Sequence, residues 1–209
     1  MNVHNVEQVI FNVAAALRVP VLVVTLVALA VVIVDAGYLA MEVFRRRRRS
    51  YEKLDGAATN ARKALANGDR VSAVSALRPV TWSSSMFDAA ELLVITFGEA
   101  SASQRASKAL ADFDYRSLRR LERSRLLVRA GPALGLMGTL IPLAPALAAL
   151  AAGDVAELSL DLRIAFSVTI LGLLIGAGAF GISLVRDRLY SQDLSDLEYV
   201  AAMLGEDSG

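Results

Sequence analysis

Four hydroxyl side chains lie in the two apolar, charge-free parts of this chain, and three of them, Thr139, Ser167 and Thr169, are candidate site residues, while Ser183 lies near the end of its stretch. A hydroxyl group donates and accepts hydrogen bonds, but it carries no charge near neutral pH. Two interpretations of these residues stay open. Each hydroxyl bonds back to a carbonyl of its own helix, or the three together form the sparse polar lining of an ion pathway.

Asp35 is the one acidic residue inside an apolar stretch. An ionisable residue at membrane depth is by default a hypothesis for a functional site. However, Asp35 precedes Arg45 by only ten residues, which is about 15 Å along a helix. An intramembrane ion pair with a nearby basic residue and a role in ion relay therefore both stay open.

The composition argues against other kinds of site. The chain has no Cys and one His, His4, which excludes thiol catalysis and disulfides and disfavours a metal site or triad built on His. We find no phosphate-binding glycine loop after a strand and no carboxylate cluster with the spacing of metal ligands. The sequence therefore predicts a protein that is not an enzyme and that holds no cofactor or metal.

Long apolar stretches must position the hydroxyl groups. The chain has 209 residues, of which 55% are hydrophobic, and its mean hydropathy is +0.49. Three stretches reach the roughly 20 residues that a helix needs to cross the hydrocarbon core of a bilayer. We predict an all-α integral membrane protein with transmembrane helices over 19–43, 130–153 and 164–185. A soluble bundle with two very apolar helices is the alternative.

The distribution of charge predicts the orientation of these helices. From Arg45 to Arg129 there are 18 Lys and Arg against 9 Asp and Glu, whereas the loop 154–163 is acidic. By the positive-inside rule, the helical domain 44–129 and the C-terminal segment 186–209 lie in the cytoplasm, and the N-terminus and the loop lie outside. Because the basic residues follow the first apolar stretch, an uncleaved span is favoured over a signal peptide.

A run of five basic residues follows the first predicted span: Arg45, Arg46, Arg47, Arg48 and Arg49. Directly beside a span, such a run is typical of a topology anchor. A nucleic-acid patch or a lipid-binding site is the alternative. On the other side of this span, residues 1–18 carry apolar side chains at helical spacing. They predict an amphipathic helix in the outer interface, with a simple extension of the span as the alternative.

The cytoplasmic segment is predicted to be helical with two interruptions. Asn67-Gly68-Asp69 predicts a turn, and Arg78-Pro79 predicts a break. The stretch from Ser85 to Asp88 resembles a capping box, which predicts that a helix begins near Ser85. From there we expect helix to continue into the second span as one long rod, with Gly98 as its weak point.

Small residues are dense in the second and third spans. In lipid they let helix backbones approach closely, and we expect Gly135, Gly138 and Gly172 to pack these two helices together. Pro142 and Pro145 lack a backbone N–H group, so we expect them to kink the second span.

Two motifs in these spans resemble the MotA/TolQ/ExbB proton-channel family. The family's Pro-containing segment followed by Gly-Leu-x-Gly-Thr is similar to Gly131-Pro132-Ala133-Leu134-Gly135-Leu136-Met137-Gly138-Thr139. Its Ala-Leu-x-x-Thr-x-x-Gly-Leu is similar to Ala165-Phe166-Ser167-Val168-Thr169-Ile170-Leu171-Gly172-Leu173. Three spans with a domain between the first and second resemble the TolQ/ExbB branch.

The resemblance implies an assembly and a mechanism. It implies a homopentameric ring with long helices extending into the cytoplasm, whose second and third spans surround a pore faced by Thr139 and Thr169. A single-span partner of the ExbD/TolR/MotB kind would thread this pore and supply the membrane Asp that carries the ion. Proton flow, with sodium as the alternative ion, would then drive rotation or force transfer across the cell envelope.

We therefore expect a pore-forming ring subunit of an energy-transducing complex in the inner (plasma) membrane, with no nucleic-acid partner. Two alternatives remain from the sequence. One is a membrane scaffold subunit that conducts nothing, and the other is a subunit of a small-solute transporter. A transporter would be expected to show internal repeats or polar binding groups near the midplane, and neither is visible.

Overall fold

The computed structural model describes residues 3–47 and 49–205, and in this part of the chain the regular secondary structure is entirely helical. The helices are α1 (Val3–Ala16), α2 (Arg18–Arg46), α3 (Tyr51–Ala66), α4 (Arg70–Leu77), α5 (Ser84–Ile95), α6 (Ala102–Ala151) and α7 (Val155–Gly205), with a 3-10 turn over Arg78–Val80. The predicted all-α class is confirmed.

Three helical stretches among the described residues are long and apolar enough to cross a membrane: Asn5–Arg46, Ala102–Ala151 and Val155–Gly205. Only 22% to 33% of the most apolar window in each is buried. Apolar surface of this extent is unfavourable in water and marks contact with lipid or with other protein. The helices thus favour the membrane interpretation over a soluble bundle, while the exact limits of the spans stay predictions.

The chain divides into two compact units. The first unit comprises Met1–Leu39 and Arg123–Ser183, and the second comprises Ala40–Glu122 and Leu184–Gly209. The first unit therefore contains the apolar parts of α2, α6 and α7. The second contains α3, α4 and α5 with the polar ends of the long helices.

The first unit packs through small and β-branched side chains. Its buried residues include Val32, Ala146, Ala165 and Ala179. At one end of this unit Arg18 of α2 forms a 2.5 Å ion pair with Asp161 of α7, whose side chain is almost fully buried. The ion pair was not predicted, although the two residues carry opposite charges at the outer limits of two predicted spans.

The second unit has an ordinary hydrophobic core. It is built from α3, α4 and α5 with residues of α6 and α7, among them Leu77, Met86, Phe113 and Leu197. Burial of this kind explains why a polar segment between two membrane helices folds.

Local capping sets where the short helices begin. The Asp69 carboxylate accepts a 2.9 Å hydrogen bond from the backbone N–H of Ser72 at the start of α4. At the start of α5, the Ser83 hydroxyl accepts from the N–H of Met86 at 3.2 Å. The predicted helix start near Ser85 is confirmed, but the capping residue is Ser83 and not Ser85. Ser85 is instead buried within α5, where its hydroxyl accepts a 2.9 Å bond from Arg120.

Glycine residues set two turns of the second unit. Gly68 has φ +75° and Gly98 has φ +79°, a backbone region that residues with a Cβ atom rarely adopt. Gly68 confirms the predicted turn. Gly98 lies between α5 and α6, so the predicted weak point is a complete break, and the long rod begins at Ala102.

Candidate ion pathway

Glycine residues bring α6 and α7 into backbone contact in the first unit. A Cβ atom added to Gly172 would lie 2.6 Å from both the Gly131 carbonyl oxygen and the Gly135 Cα. One added to Gly131 would lie 2.6 Å from the Gly176 nitrogen, and one added to Gly138 would lie 2.1 Å from Cγ1 of Val168. The two helices can therefore pack this closely only because these positions have no side chain.

The close contact brings Thr139 and Thr169 to one backbone carbonyl. Thr169 Oγ1 lies 3.3 Å from the Gly135 oxygen on the other helix and 3.1 Å from the Ala165 oxygen on its own. Thr139 Oγ1 lies 3.4 Å from the same Gly135 oxygen and 2.8 Å from the Leu136 oxygen. The two threonines, which are 30 positions apart in the sequence, thus form one polar cluster in an apolar helix pair.

Ser167 lies outside this cluster. Its side chain is exposed, and its hydroxyl donates to the Arg163 oxygen at 2.8 Å, one turn earlier in α7. Back-bonding to the helix is therefore common to all three hydroxyl groups. Each has one proton to donate and two lone pairs, so both threonine oxygens still have acceptor capacity.

The two proline residues lie within α6, which runs as one helix through Pro132, Pro142 and Pro145. Pro142 is buried and Pro145 is half-buried. Each proline leaves one carbonyl in the preceding turn without its usual donor. The kink expected at these residues stays a prediction.

The remaining sequence-predicted residues lie along α2 and just after it. Asp35 is half-buried in the first unit. In the second unit Arg45 and Arg47 are exposed, Arg46 is buried, and Arg49 forms an ion pair with Asp196 of α7. Arg48 lies outside the described residues.

The partner of Arg46 was missed by the sequence analysis. Its guanidinium group donates to both oxygens of Asp193, at 2.5 and 2.9 Å, and to Glu42 at 2.8 Å. Asp193 is 1% exposed. The polar part of α7 carries acidic residues at helical spacing, which was the available signal, but nothing local in the sequence selects one arginine of five.

Taken together, α6 and α7 offer hydroxyl and carbonyl oxygen atoms without an acid between residues 164 and 185 or between residues 130 and 153. Oxygen atoms of this kind can solvate a cation or accept a hydrogen bond from a protonated carboxylic acid. They cannot take up and release a proton near neutral pH. The arrangement is suited to lining a path rather than to carrying the ion along it.

The part of the chain that contains Thr139 and Thr169 is similar to a known protein family. The model of the MotA/TolQ/ExbB proton channel family matches residues 96–195, which include all of α6 and most of α7. No curated protein and no solved structure gives a significant match. The resemblance inferred from the two motifs is therefore confirmed.

Proposed function

From the premise that residues 96–195 belong to the MotA/TolQ/ExbB proton channel family, we propose that this chain is the pore-forming subunit of a proton-motive-force-driven, energy-transducing complex. The observation that carries the proposal is the cluster at the Gly135 carbonyl, where Thr139 and Thr169 meet. It is a polar cluster in the part of α6 and α7 where the two helices pack closely through glycine residues.

The pore is formed by several copies, and by resemblance to the family we propose five. Large apolar side chains of α6 and α7 are exposed on the single chain, including Leu136, Leu140, Phe166 and Ile170. Such surface suits contact with neighbouring copies or with lipid. Thr139 and Thr169, which are half-buried in one chain, then face the central pore.

The ion-carrying acid comes from a second protein. Residues 130–153 and 164–185 contain no Asp, Glu or His, and a proton relay normally uses one of these residues. We therefore propose a single-span partner of the ExbD/TolR/MotB kind that places one Asp beside the threonine cluster. The threonine oxygens accept a hydrogen bond from the protonated form of that Asp, which stabilises the neutral acid in the low-dielectric pore.

The transmembrane potential drives the complex. Moving one charge through 100 mV supplies about 2.3 kcal/mol, and each transfer turns the ring relative to the partner, which passes the force to an outer structure. The ion is the proton, with sodium as the alternative.

The chain lies in the inner membrane with its N-terminus outside and its C-terminus in the cytoplasm, as the basic segment between Arg45 and Arg129 suggests.

Substitution of the threonines tests the proposal. The complex is purified from its native membrane through a tag on this chain and reconstituted in liposomes, and proton uptake is followed with a pH-sensitive dye. We expect Thr139→Val and Thr169→Val each to abolish potential-driven uptake, because they remove the hydroxyl and keep the shape of the side chain. Thr169→Ser should retain uptake. The same preparation should contain a single-span protein with one membrane Asp.

Thr25→Val is the matched control. Thr25 is 1% exposed in the first unit, and its hydroxyl only donates to the Val21 carbonyl at 2.8 Å. Its loss should leave proton uptake unchanged. Normal uptake in both Thr139→Val and Thr169→Val, with the complex intact, would reject the pore assignment.

A non-conducting scaffold is the second candidate function. It is favoured by one observation, namely that Thr139, Ser167 and Thr169 all have a backbone carbonyl of their own helix within hydrogen-bond distance. A scaffold would show no uptake in the unmodified complex. The flux measurement therefore separates the two candidates before any residue is changed.

A further inference from the structure

The second unit contains a cavity of about 270 Å³ that the proposed ion pathway does not use. It lies where the chain leaves α2 and enters α3, and we call it the Arg45 cavity. Its lining residues are Arg45, Arg49, Ser50, Lys53, Leu54, Pro79, Val80, Trp82 and Asp196. Three cations and one carboxylate thus share a small space with an apolar wall.

The cations of this cavity are not equivalent. Arg49 donates through Nε to Asp196 Oδ2 at 2.9 Å and through Nη2 to Asp196 Oδ1. This pair neutralises the one carboxylate of the cavity. Arg45 and Lys53 are both exposed, and neither has an ion pair within the described part of the chain. Two positive charges therefore remain for an anion.

The other wall of the cavity is apolar. Leu54 and Val80 are buried, Pro79 contributes its ring, and Trp82 is half-buried. Tryptophan joins a large apolar surface to one polar N–H group, and it is enriched where lipid headgroups meet hydrocarbon. A ligand with a phosphate group and an adjoining apolar part would contact both walls.

The position of the cavity along α2 points to the source of this ligand. Arg45 follows Met41, the last residue of the first charge-poor apolar stretch, by four residues, or about 6 Å of helix. This is the distance at which a side chain reaches the headgroup layer of a bilayer. Clusters of Lys and Arg directly beside a membrane helix attract anionic lipids.

We propose that the Arg45 cavity binds the phosphate group of an anionic membrane lipid. Arg45 and Lys53 pair with the phosphate oxygens, the Ser50 hydroxyl donates to them, and Trp82 contacts the glycerol and the first acyl carbons. Free phosphate esters share the phosphate chemistry but lack the acyl chain. The site depends on the proposed membrane orientation only for which leaflet supplies the lipid, and it does not depend on conduction through the pore.

Trp82 makes the site directly measurable, because it is the only tryptophan of the chain. The full-length protein is placed in phosphatidylcholine nanodiscs, and its tryptophan fluorescence is recorded as phosphatidylglycerol replaces phosphatidylcholine. We expect a saturable change with phosphatidylglycerol and stronger quenching by brominated phosphatidylglycerol than by brominated phosphatidylcholine. Soluble glycerol 3-phosphate should give no change at equal concentration.

Two variants test the named cations. Arg45→Gln combined with Lys53→Gln should weaken the response to phosphatidylglycerol about 30-fold, since each basic residue at a membrane surface contributes roughly a factor of five. Arg47→Gln is the matched control, because Arg47 is an exposed arginine of the same run that does not line the cavity. It should retain most of the response. Size-exclusion elution and helical circular dichroism check that each variant is folded.

Three results would overturn the proposal. One is equal quenching by the two brominated lipids in the unmodified protein, which requires no variant. Another is an unchanged response in the double variant. The third is saturable binding of glycerol 3-phosphate as tight as that of phosphatidylglycerol, which would make a soluble phosphate ester the ligand and exclude lipid as its source. Proton uptake is not measured, so a failed pore assignment leaves this test unaffected.

Discussion

Thr139 and Thr169 place two hydroxyl groups at one site between the apolar parts of α6 and α7. A buried hydroxyl group without a hydrogen-bond partner is costly, and the cost is greater in hydrocarbon than in a soluble core. Both hydroxyl groups have backbone carbonyl oxygens within hydrogen-bond distance, and the Gly135 oxygen is common to the two. Because each oxygen keeps acceptor capacity, structural back-bonding and a role in the pore are compatible.

Gly172 is the residue at which the close packing of α6 and α7 can be tested. Gly172→Ala places a methyl group 2.6 Å from backbone atoms of Gly131 and Gly135, which cannot rotate away as a side chain would. We expect a loss of stability of about 1–3 kcal/mol, the usual range for overpacking, measured as a lower Tm of the purified protein in detergent.

Gly181→Ala is the control for this substitution. Gly181 lies on the same helix, and a Cβ atom there meets nothing within 4 Å. Alanine favours helix over glycine, so this variant should melt at the same or a higher temperature. Equal loss of stability in the two variants would mean that the contact between α6 and α7 does not determine the effect of Gly172→Ala.

At the scale of elements, the buried pair between Arg46 and Asp193 ties the end of α2 to α7 within the second unit. Asp193→Ala leaves the Arg46 guanidinium group, which is almost fully buried, without its main partner. Removing one member of a buried ion pair typically costs about 3–5 kcal/mol. We expect a correspondingly large decrease in thermal stability.

Comparison with two further variants checks the physical reason. Asp196→Ala removes the partner of Arg49, whose side chain is 32% exposed, so water can replace the carboxylate and the loss should be smaller. Replacing both members, as Arg46→Met with Asp193→Leu, should restore much of the stability, because no buried charge is left unpaired. An Asp196→Ala loss as large as that of Asp193→Ala would contradict this account.

The N-terminus of α4 gives a pH dependence at the same scale. Hydrogen bonds from the Ser72 side chain and backbone lower the pKa of Asp69 below its usual value of 3.8. The carboxylate cap is therefore fully present above that value and is lost as the pH falls through the lower pKa of the folded state. We expect protection of the α4 amides against hydrogen exchange to fall only in strongly acidic solution.

Two variants of Asp69 separate the cap from its charge. Asp69→Asn keeps an acceptor oxygen and should protect the α4 amides without this pH dependence. Asp69→Ala should reduce their protection already at neutral pH, because the cap is absent. Unchanged protection in Asp69→Ala would show that packing of Leu77 and Ala73 into the core holds α4 without its cap.

At the scale of the whole molecule, the proposed orientation can be measured directly, because the chain has no Cys. Single substitutions Ser159→Cys and Ser103→Cys place a thiol at exposed positions, the first in the predicted outer loop 154–163 and the second near the start of α6, in the predicted cytoplasmic domain 44–129. A membrane-impermeant maleimide should label the first in intact spheroplasts and the second only after lysis. Labelling in the reverse order would contradict the orientation that we infer from the charges.

The chain also shows which features a sequence makes predictable. The three apolar stretches, the turn at Gly68 and the two family motifs each depend on neighbouring residues, so hydropathy, glycine chemistry and spacing were enough to identify them. The cap of α5 lies two residues before the predicted one, because Ser83 and Ser85 are equally suitable caps on local criteria. Burial of Ser85 against Arg120 decides between them.

The sequence by itself thus determined the helical class, the apolar segments and the resemblance to a channel family, whose model matches residues 96–195. Only the tertiary structure decided which residues meet. Thr169 reaches a carbonyl 34 residues away and Arg46 a carboxylate 147 residues away, while Arg45 remains beside an open cavity. Five adjacent arginines have the same local sequence preferences, and the different roles of Arg45, Arg46 and Arg49 arise because α7 presents a carboxylate to the last two and not to the first.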